Sequence, residues 1–266
     1  MDWFVVEYIE NLEIHIPSRI GDDTMSNLNE AATLIKKARK ILVLTGAGMS
    51  TESGLKDFRS KDGLYSNRFR GNSPEAILSA GFFRRDTRTF YDYVGEKLDV
   101  TGIEPNKGHR ILAAWEDTMD LSIITQNIDG LHQKAGSEKV LEIHGTLAST
   151  TCTGCGEKKG LRDVLDHGYE HSCGGVFKPD VVLYDEAVDK IEVAFEMAEK
   201  ADLLIILGTS LYVYPVASIP EVYGISSKKA IIVNRDQTRY SMHANALEFN
   251  ESISATLEKL DHLINE

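Results

Sequence analysis

Five clusters of reactive or ligand-holding side chains occur along the chain, each directly after a short apolar run. After ILVLT come Gly46, Ala47, Gly48 and Ser50, where a tight turn can offer backbone N–H groups to a pyrophosphate. Thr51 stands where the third glycine of the usual dinucleotide fingerprint would be, so these residues alone serve a nucleotide or a ligand-free turn equally well. After LSIIT come Gln126, Asn127, Ile128 and Asp129, whose amides and carboxylate suit ribose hydroxyls and a carboxamide, although any one of them could simply cap a turn. After KVLE comes His144, an imidazole able to accept a hydroxyl proton near neutral pH. Gly208, Thr209 and Ser210 follow LLIIL, while Asn234 and Arg235 follow AIIV, and these could complete a nucleotide cradle or be ordinary loop residues. His109 reads differently, as a helical residue packed against a neighbouring element.

A further group is built from sulfur. Cys152-x-x-Cys155, with Gly154 and Gly156 around the second thiol, has the form of a zinc knuckle, and Cys173 supplies a third thiolate. Tetrahedral zinc needs a fourth ligand. His171, two residues before Cys173, is the best placed, with Glu170 and His167 behind it; the alternative is a lobe that holds no metal.

The elements that position these groups are α/β in pattern. Strands are expected at Ile41 to Thr45, Leu121 to Thr125, Lys139 to Glu142, Leu203 to Leu207 and Ala230 to Val233, alternating with helical stretches as in a parallel sheet with crossover helices. A helix capped at Met25-Ser26 should run through NLNEAATLIKKARK. Residues 1–24 fit no element and read either as an extension ahead of a start at Met25 or as a genuine extra segment. The Gly- and Cys-punctuated stretch at about 146–180 reads as an inserted small lobe, and about 61–99 as a helical insertion rich in Phe, Tyr and Arg.

The whole chain narrows the class further. Its 266 residues, 42% hydrophobic and 26% charged, suffice for a full globular core. With 41 acidic against 29 basic residues the formal charge is −12, which argues against direct nucleic-acid binding and favours Lys-rich polypeptides. Three cysteines suit metal ligation in a reducing compartment, so a cytoplasmic protein is expected. No apolar run approaches the roughly 20 residues of a membrane span, and the acidic start lacks the form of a signal peptide.

Taken together, the motifs resemble those of the sirtuins. GAG-x-S-x-x-SG-x-x-DFR at 46–59, TQNIDGLH at 125–132, His144-Gly145, C-x-x-C, GG-x-x-KPDVV-x-YDE and GTSL-x-V-x-P follow in family order from about Asn27 to the C-terminus. The resemblance implies a Rossmann-like large domain with a small zinc-ribbon lobe, and NAD meeting an acyl-lysine protein or peptide in the cleft between them. It also implies that Ala47 and its glycines approach the phosphates, that Asp57, Phe58, Arg59 and Tyr65 belong to the cofactor side, and that Asn127 with Asp129 shapes the nicotinamide pocket. Gly208, Thr209, Ser210, Asn234 and Arg235 would hold the phosphate and adenosine end. Val181 and Val182 would pair with the substrate on one side and Tyr212, Val213 and Tyr214 on the other. His144 is the implied general base, and nicotinamide, free lysine and O-acyl-ADP-ribose the products.

The sequence departs from the family pattern at three points. Lys56 replaces the usual Pro before Asp-Phe-Arg; Glu170 stands near the family's third cysteine; and Val94 occupies the Arg position of a Tyr-x-x-Arg element, with Tyr91 kept. The last implies neutral acyl groups rather than succinyl or malonyl. The rival readings are an NAD glycohydrolase or ADP-ribosyltransferase, and a non-catalytic NAD or acyl-lysine sensor. Oligomeric state and target proteins are not legible in these residues.

Overall fold

The structure, a computed structural model, describes residues 20–57 and 63–266. Most of the 1–24 segment, together with Phe58 and Arg59, lies outside the described residues.

Five of the strands are short, mostly apolar runs: β1 (Ile41–Thr45), β2 (Leu121–Thr125), β3 (Val140–Glu142), β7 (Leu203–Leu207) and β8 (Ala230–Val233). Residues of β1, β7 and β8 are buried throughout, as expected where helices cover both faces of a parallel sheet. A sixth strand, β9 (Ala246–Phe249), was not expected from the sequence. It is a four-residue edge strand in which only Leu247 and Phe249 are buried, so it lacks an apolar run. The sheet is parallel throughout and ordered β3-β2-β1-β7-β8-β9.

One face is covered by α1 (Ile20–Lys37), α5 (Lys107–Thr118) and α10 (Ile253–Asn265), which bring Leu28, Ile35, Leu112 and Leu257 onto Val43 and Ile123. The other carries α8 (Ile191–Lys200) and α9 (Ile219–Tyr223), packing Ala194, Ala198 and Tyr223 against Leu44 and Ile206. The first helix corrects the sequence reading: it begins at Ile20, so Ser26 lies inside it rather than capping it. A short α6 (Leu131–Ala135) separates β2 from β3.

The insertions share a third core. The helices α2 (Pro74–Ile77), α3 (Ala80–Arg85) and α4 (Thr87–Lys97) contribute Phe82, Phe83, Phe90 and Val94. Against them pack Leu147, Val164 and Phe177 from β4 (Gly145–Cys152), β5 (Lys158–Gly160), α7 (Leu161–His167) and β6 (Phe177–Val181), whose strands form a separate antiparallel sheet ordered β5-β4-β6. The crevice between this body and the main sheet opens over the carboxyl ends of β1, β2 and β7, on either side of the strand where the order reverses, which is where doubly wound sheets bind ligands.

Candidate active site

Gly46 and Gly48 lead out of β1 into a 3-10 helix at Ala47–Ser53, not an α-helix, and their amides are already committed. Gly46 N–H donates to the Leu207 carbonyl at 3.0 Å and Gly48 N–H to the Gly208 carbonyl at 2.8 Å. The glycines therefore serve the interlocking of two loops rather than a free phosphate turn. A Cβ at Gly48 would sit 2.7 Å from Gly208 Cα, and one at Gly208, whose φ is 61°, would meet Met49 N at 2.4 Å.

Beneath this junction runs a chain of buried polar contacts. The Asn127 amide donates to Ser50 Oγ at 3.0 Å, and Ser50 donates to Asp129 Oδ2 at 2.7 Å. Burial pushes the Asp129 carboxyl upward, opposed by the Leu131 N–H and the Ser50 hydroxyl. The backbone of Asn127 is fixed from the other side, since its N–H donates to Thr125 Oγ1 at 3.1 Å. Thr125 in turn accepts from Thr45 at 2.8 Å, and Thr45 contacts His132 Nε2 at 3.0 Å. Because Thr45 donates its proton to Thr125, it must accept from His132, which fixes Nε2–H as the His132 tautomer. His132 also meets His109 edge-on at 4.8 Å between ring centroids. His109 is fully buried and helical, packed against a neighbouring element as its sequence context suggested.

His144 follows β3. Its Nδ1 lies 3.1 Å from the Gln126 carbonyl, an acceptor only, so Nδ1 carries the proton and Nε2 is left as the basic nitrogen. Burial lowers its pKa, partly offset by that carbonyl, so the ring stays neutral at physiological pH. The backbone is held as firmly: Ile143 N–H donates to the Thr125 carbonyl and Val182 N–H to the His144 carbonyl. The next residue can only be glycine, because φ is 81° and a Cβ would lie 2.0 Å from the Asp180 carbonyl oxygen.

The cleft has a volume of about 340 Å³ and draws together Gly46, Ala47, Tyr65, Gln126, Asn127, Ile128, His144, Val181, Val182, Gly208, Thr209, Ser210, Val213 and Tyr214. A second hollow, sharing Gly208 with the first, is lined by Gly48, Asn234 and Arg235. Asp57 lines neither hollow but pairs with one of the second hollow's residues, 3.4 Å from the Arg235 guanidinium. Tyr212 is 71% exposed and is not part of the cleft lining. The Val182 N–H, bonded to His144, is not available for pairing with an added strand.

Sequence reasoning missed several lining residues. Leu78 and Leu98 come from the helical insertion with no local signal, whereas Asp185 and Glu186 continue the Val181-Val182 segment and were within reach. Glu52, Asn250 and Ser252 of the second hollow carried no motif. The expectation for Tyr91 and Val94 is corrected. The Tyr91 hydroxyl donates to the Phe177 carbonyl at 2.6 Å and its ring stacks on Tyr169, while Val94 is fully buried in the third core. Neither lines the cleft. Tyr91 seals the small lobe to the insertion instead.

In the small lobe, Cys152, Cys155, His171 and Cys173 place their ligand atoms within 4.8 Å of one another. Cys152 Sγ lies 3.5 Å from Cys173 Sγ and 3.6 Å from His171 Nδ1; His171 Nδ1 lies 3.4 Å from Cys155 Sγ and 3.1 Å from Cys173 Sγ. Tetrahedral zinc with Zn–S of about 2.3 Å and Zn–N of about 2.0 Å has edges of roughly 3.5–3.8 Å, so the group fits the ion with small adjustment. The surroundings leave room for sulfur: a Cβ at Gly175 would sit 2.8 Å from Cys152 Sγ and one at Gly154 3.0 Å from Cys173 Sγ. The other ring nitrogen of His171 contacts Glu157 at 3.1 Å, the carboxylate support common behind zinc-bound imidazoles. His167 instead contacts Asp163, and Glu170 belongs to an isolated bridge with Val176.

A doubly wound sheet, a small lobe with a metal-compatible Cys3His group and a histidine in the crevice between them define a two-lobed α/β protein with a ligand-sized cleft of about 340 Å³. The sequence model of the Sir2 family matches residues 46–215. An NAD-dependent protein deacetylase of Chromobacterium violaceum is 46% identical over 224 residues, covering 82% of this chain and 90% of its own. A solved Sir2 with deacetylated p53 peptide and 3′-O-acetyl ADP-ribose superimposes with a TM-score of 0.81 at 31% identity, covering 88% of this chain and 97% of its own. A Sir2 complex with p53 peptide and NAD+ gives 0.77 at 32% identity, covering 88% and 96%. The chain belongs to the Sir2 family.

Proposed function

We propose that this protein is an NAD-dependent protein lysine deacetylase, with residues 25–266 as its catalytic domain and His144 as its general base. The observation that carries the reading is the state of His144: a neutral imidazole held through Nδ1 by the Gln126 carbonyl, in the same cleft as Asn127 and the Val181 and Val213 walls. The name of the C. violaceum relative and the peptides and acetyl-ADP-ribose in the similar structures agree with it.

Bound NAD supplies an anomeric carbon from which nicotinamide departs, so that an acyl group can leave lysine as O-acyl-ADP-ribose. The protein's part is positioning and proton transfer. Asn127, with Ser50 and Asp129 behind it, orients the carboxamide end. Ala47, Thr209, Ser210, Asn234 and Arg235, with the Asp57–Arg235 pair, hold the phosphate and adenosine end along the two joined hollows. His144 Nε2 accepts a ribose hydroxyl proton. Zinc would be held by Cys152, Cys155, His171 and Cys173 in a structural role, since the group lies in the small lobe and none of the four lines the cleft.

Neutral acyl chains are the favoured cargo. The cleft offers Leu78, Leu98, Ile128, Val181 and Leu183 as wall, and among the described residues no Lys or Arg lines it. A succinyl carboxylate there has no partner to offset its desolvation.

The test is mass spectrometry of an acetyl-lysine peptide incubated with and without NAD. Deacetylated peptide together with O-acetyl-ADP-ribose is the expected result, reduced about 100-fold or more in His144→Ala. Nicotinamide release without peptide turnover would overturn the reading in favour of a glycohydrolase.

A further inference from the structure

Two carboxylates stand at the mouth of the cleft, and their situations differ. Glu186 is balanced internally, accepting from Lys178 Nζ at 3.0 Å and from the Leu183 N–H at 2.8 Å. Asp185 is exposed and makes no ion pair or side-chain hydrogen bond with the described residues. Its backbone is in the left-handed region, with φ at 73°, where glycine would carry less strain. Aspartate and asparagine are among the non-glycine residues that this conformation tolerates best, so the charge at this position can be removed without disturbing the backbone.

The opposite rim is aromatic. Tyr214 is 64% exposed, yet its hydroxyl is pinned by Arg239 at 3.0 Å, and Arg239 is itself held by Glu221 at 2.8 Å. Tyr184, beside Asp185, is similarly fixed by a 2.7 Å contact between its hydroxyl and that of Tyr65. An open carboxylate beside anchored aromatic faces is chemistry suited to a cation. The formal charge of −12 favours the approach of basic polypeptides to the molecule in general.

We propose that Asp185 is a specificity-determining residue that selects acetyl-lysine substrates bearing an arginine or lysine beside the modified residue, an inference that rests on the deacetylase reading above. The contact is on the rim and exposed, so it changes capture of the peptide more than the rate of acyl transfer, and it appears in KM rather than kcat.

The experiment compares kcat/KM, with NAD saturating, for three acetyl-lysine peptides differing only in having Arg, Gln or Glu beside the modified lysine, each placed on either side in turn. On at least one side the order Arg, Gln, Glu is expected, with about a three- to ten-fold span between the extremes at low ionic strength, shrinking toward one at roughly 0.5 M salt. In Asp185→Asn and Asp185→Gly, both compatible with a left-handed backbone, the Arg-to-Glu ratio should fall toward one. That ratio is internal to each variant, so partial loss of folded enzyme does not distort it. A wild-type ratio near one on both sides, or a ratio that survives in both variants, overturns this inference while leaving the deacetylase reading intact. No turnover of any of the peptides overturns the deacetylase reading, and this inference with it.

Discussion

The histidines of this chain do opposite jobs with the same ring. His144 is half-buried, with Nδ1 tied to a carbonyl and its ring lining the cleft, the arrangement that the proposed general base requires. His109 and His132 are sealed in the interior, and burial depresses them to about 4 and about 3. Among the described residues, both ring nitrogens of His109 and the Nδ1 of His132 find no hydrogen-bond partner. Above about pH 6.5 these rings are neutral whether the chain is folded or not. Below it the unfolded chain takes up protons that the folded one cannot, so stability is lost as pH falls toward the folded values. At pH 5 the loss is on the order of 2 kcal/mol per histidine. Urea unfolding at pH 7 and pH 5 should show this decline, and His109→Leu should make it shallower; a wild-type midpoint unchanged between the two pH values would refute the argument.

Among the elements, α4 and the zinc loop carry the clearest tests, and they show how far the sequence could be read. The five expected strands were legible because apolar runs bounded by turns have few other uses. The direction in which α4 presents Tyr91 and Val94 was not, since it depends on how the insertion docks on Phe177 and Tyr169. Val94→Arg would place an unpaired guanidinium in a fully buried position. It should therefore destabilise the fold by about 3 kcal/mol or more, with no gain in succinyl-lysine turnover. A soluble, stable Val94→Arg variant with improved succinyl turnover would restore the original expectation. The choice of His171 as fourth ligand required only nearness to Cys173, but its support by Glu157 required the folded loop. Elemental analysis should find about one zinc per chain, clearly less in His171→Ala, and full occupancy again in His171→Cys; full occupancy in His171→Ala would exclude His171 from the site.

For the molecule as a whole, the glycines after β1 mark the limit of motif reading: Gly46 does line the crevice, but the amides of Gly46 and Gly48 join loops. Long-range partners such as Leu78, Leu98 and the second hollow's Asn250 were invisible because nothing local distinguishes them. Among the described residues no helix is long and apolar enough to cross a membrane.

The strand order also has a temporal side. β1 is flanked by β2 and β7, so its second neighbour ends at Leu207, 82 positions after Thr125 closes the first. At a synthesis rate of about 5–20 residues per second, one edge of the middle strand stays open for roughly 4–16 s after its other edge can pair. Such an edge is a template for wrong pairing during that interval. A nascent chain halted between β3 and β7 should therefore be the form most dependent on chaperones, and release from that dependence should come only once Leu207 has left the ribosome.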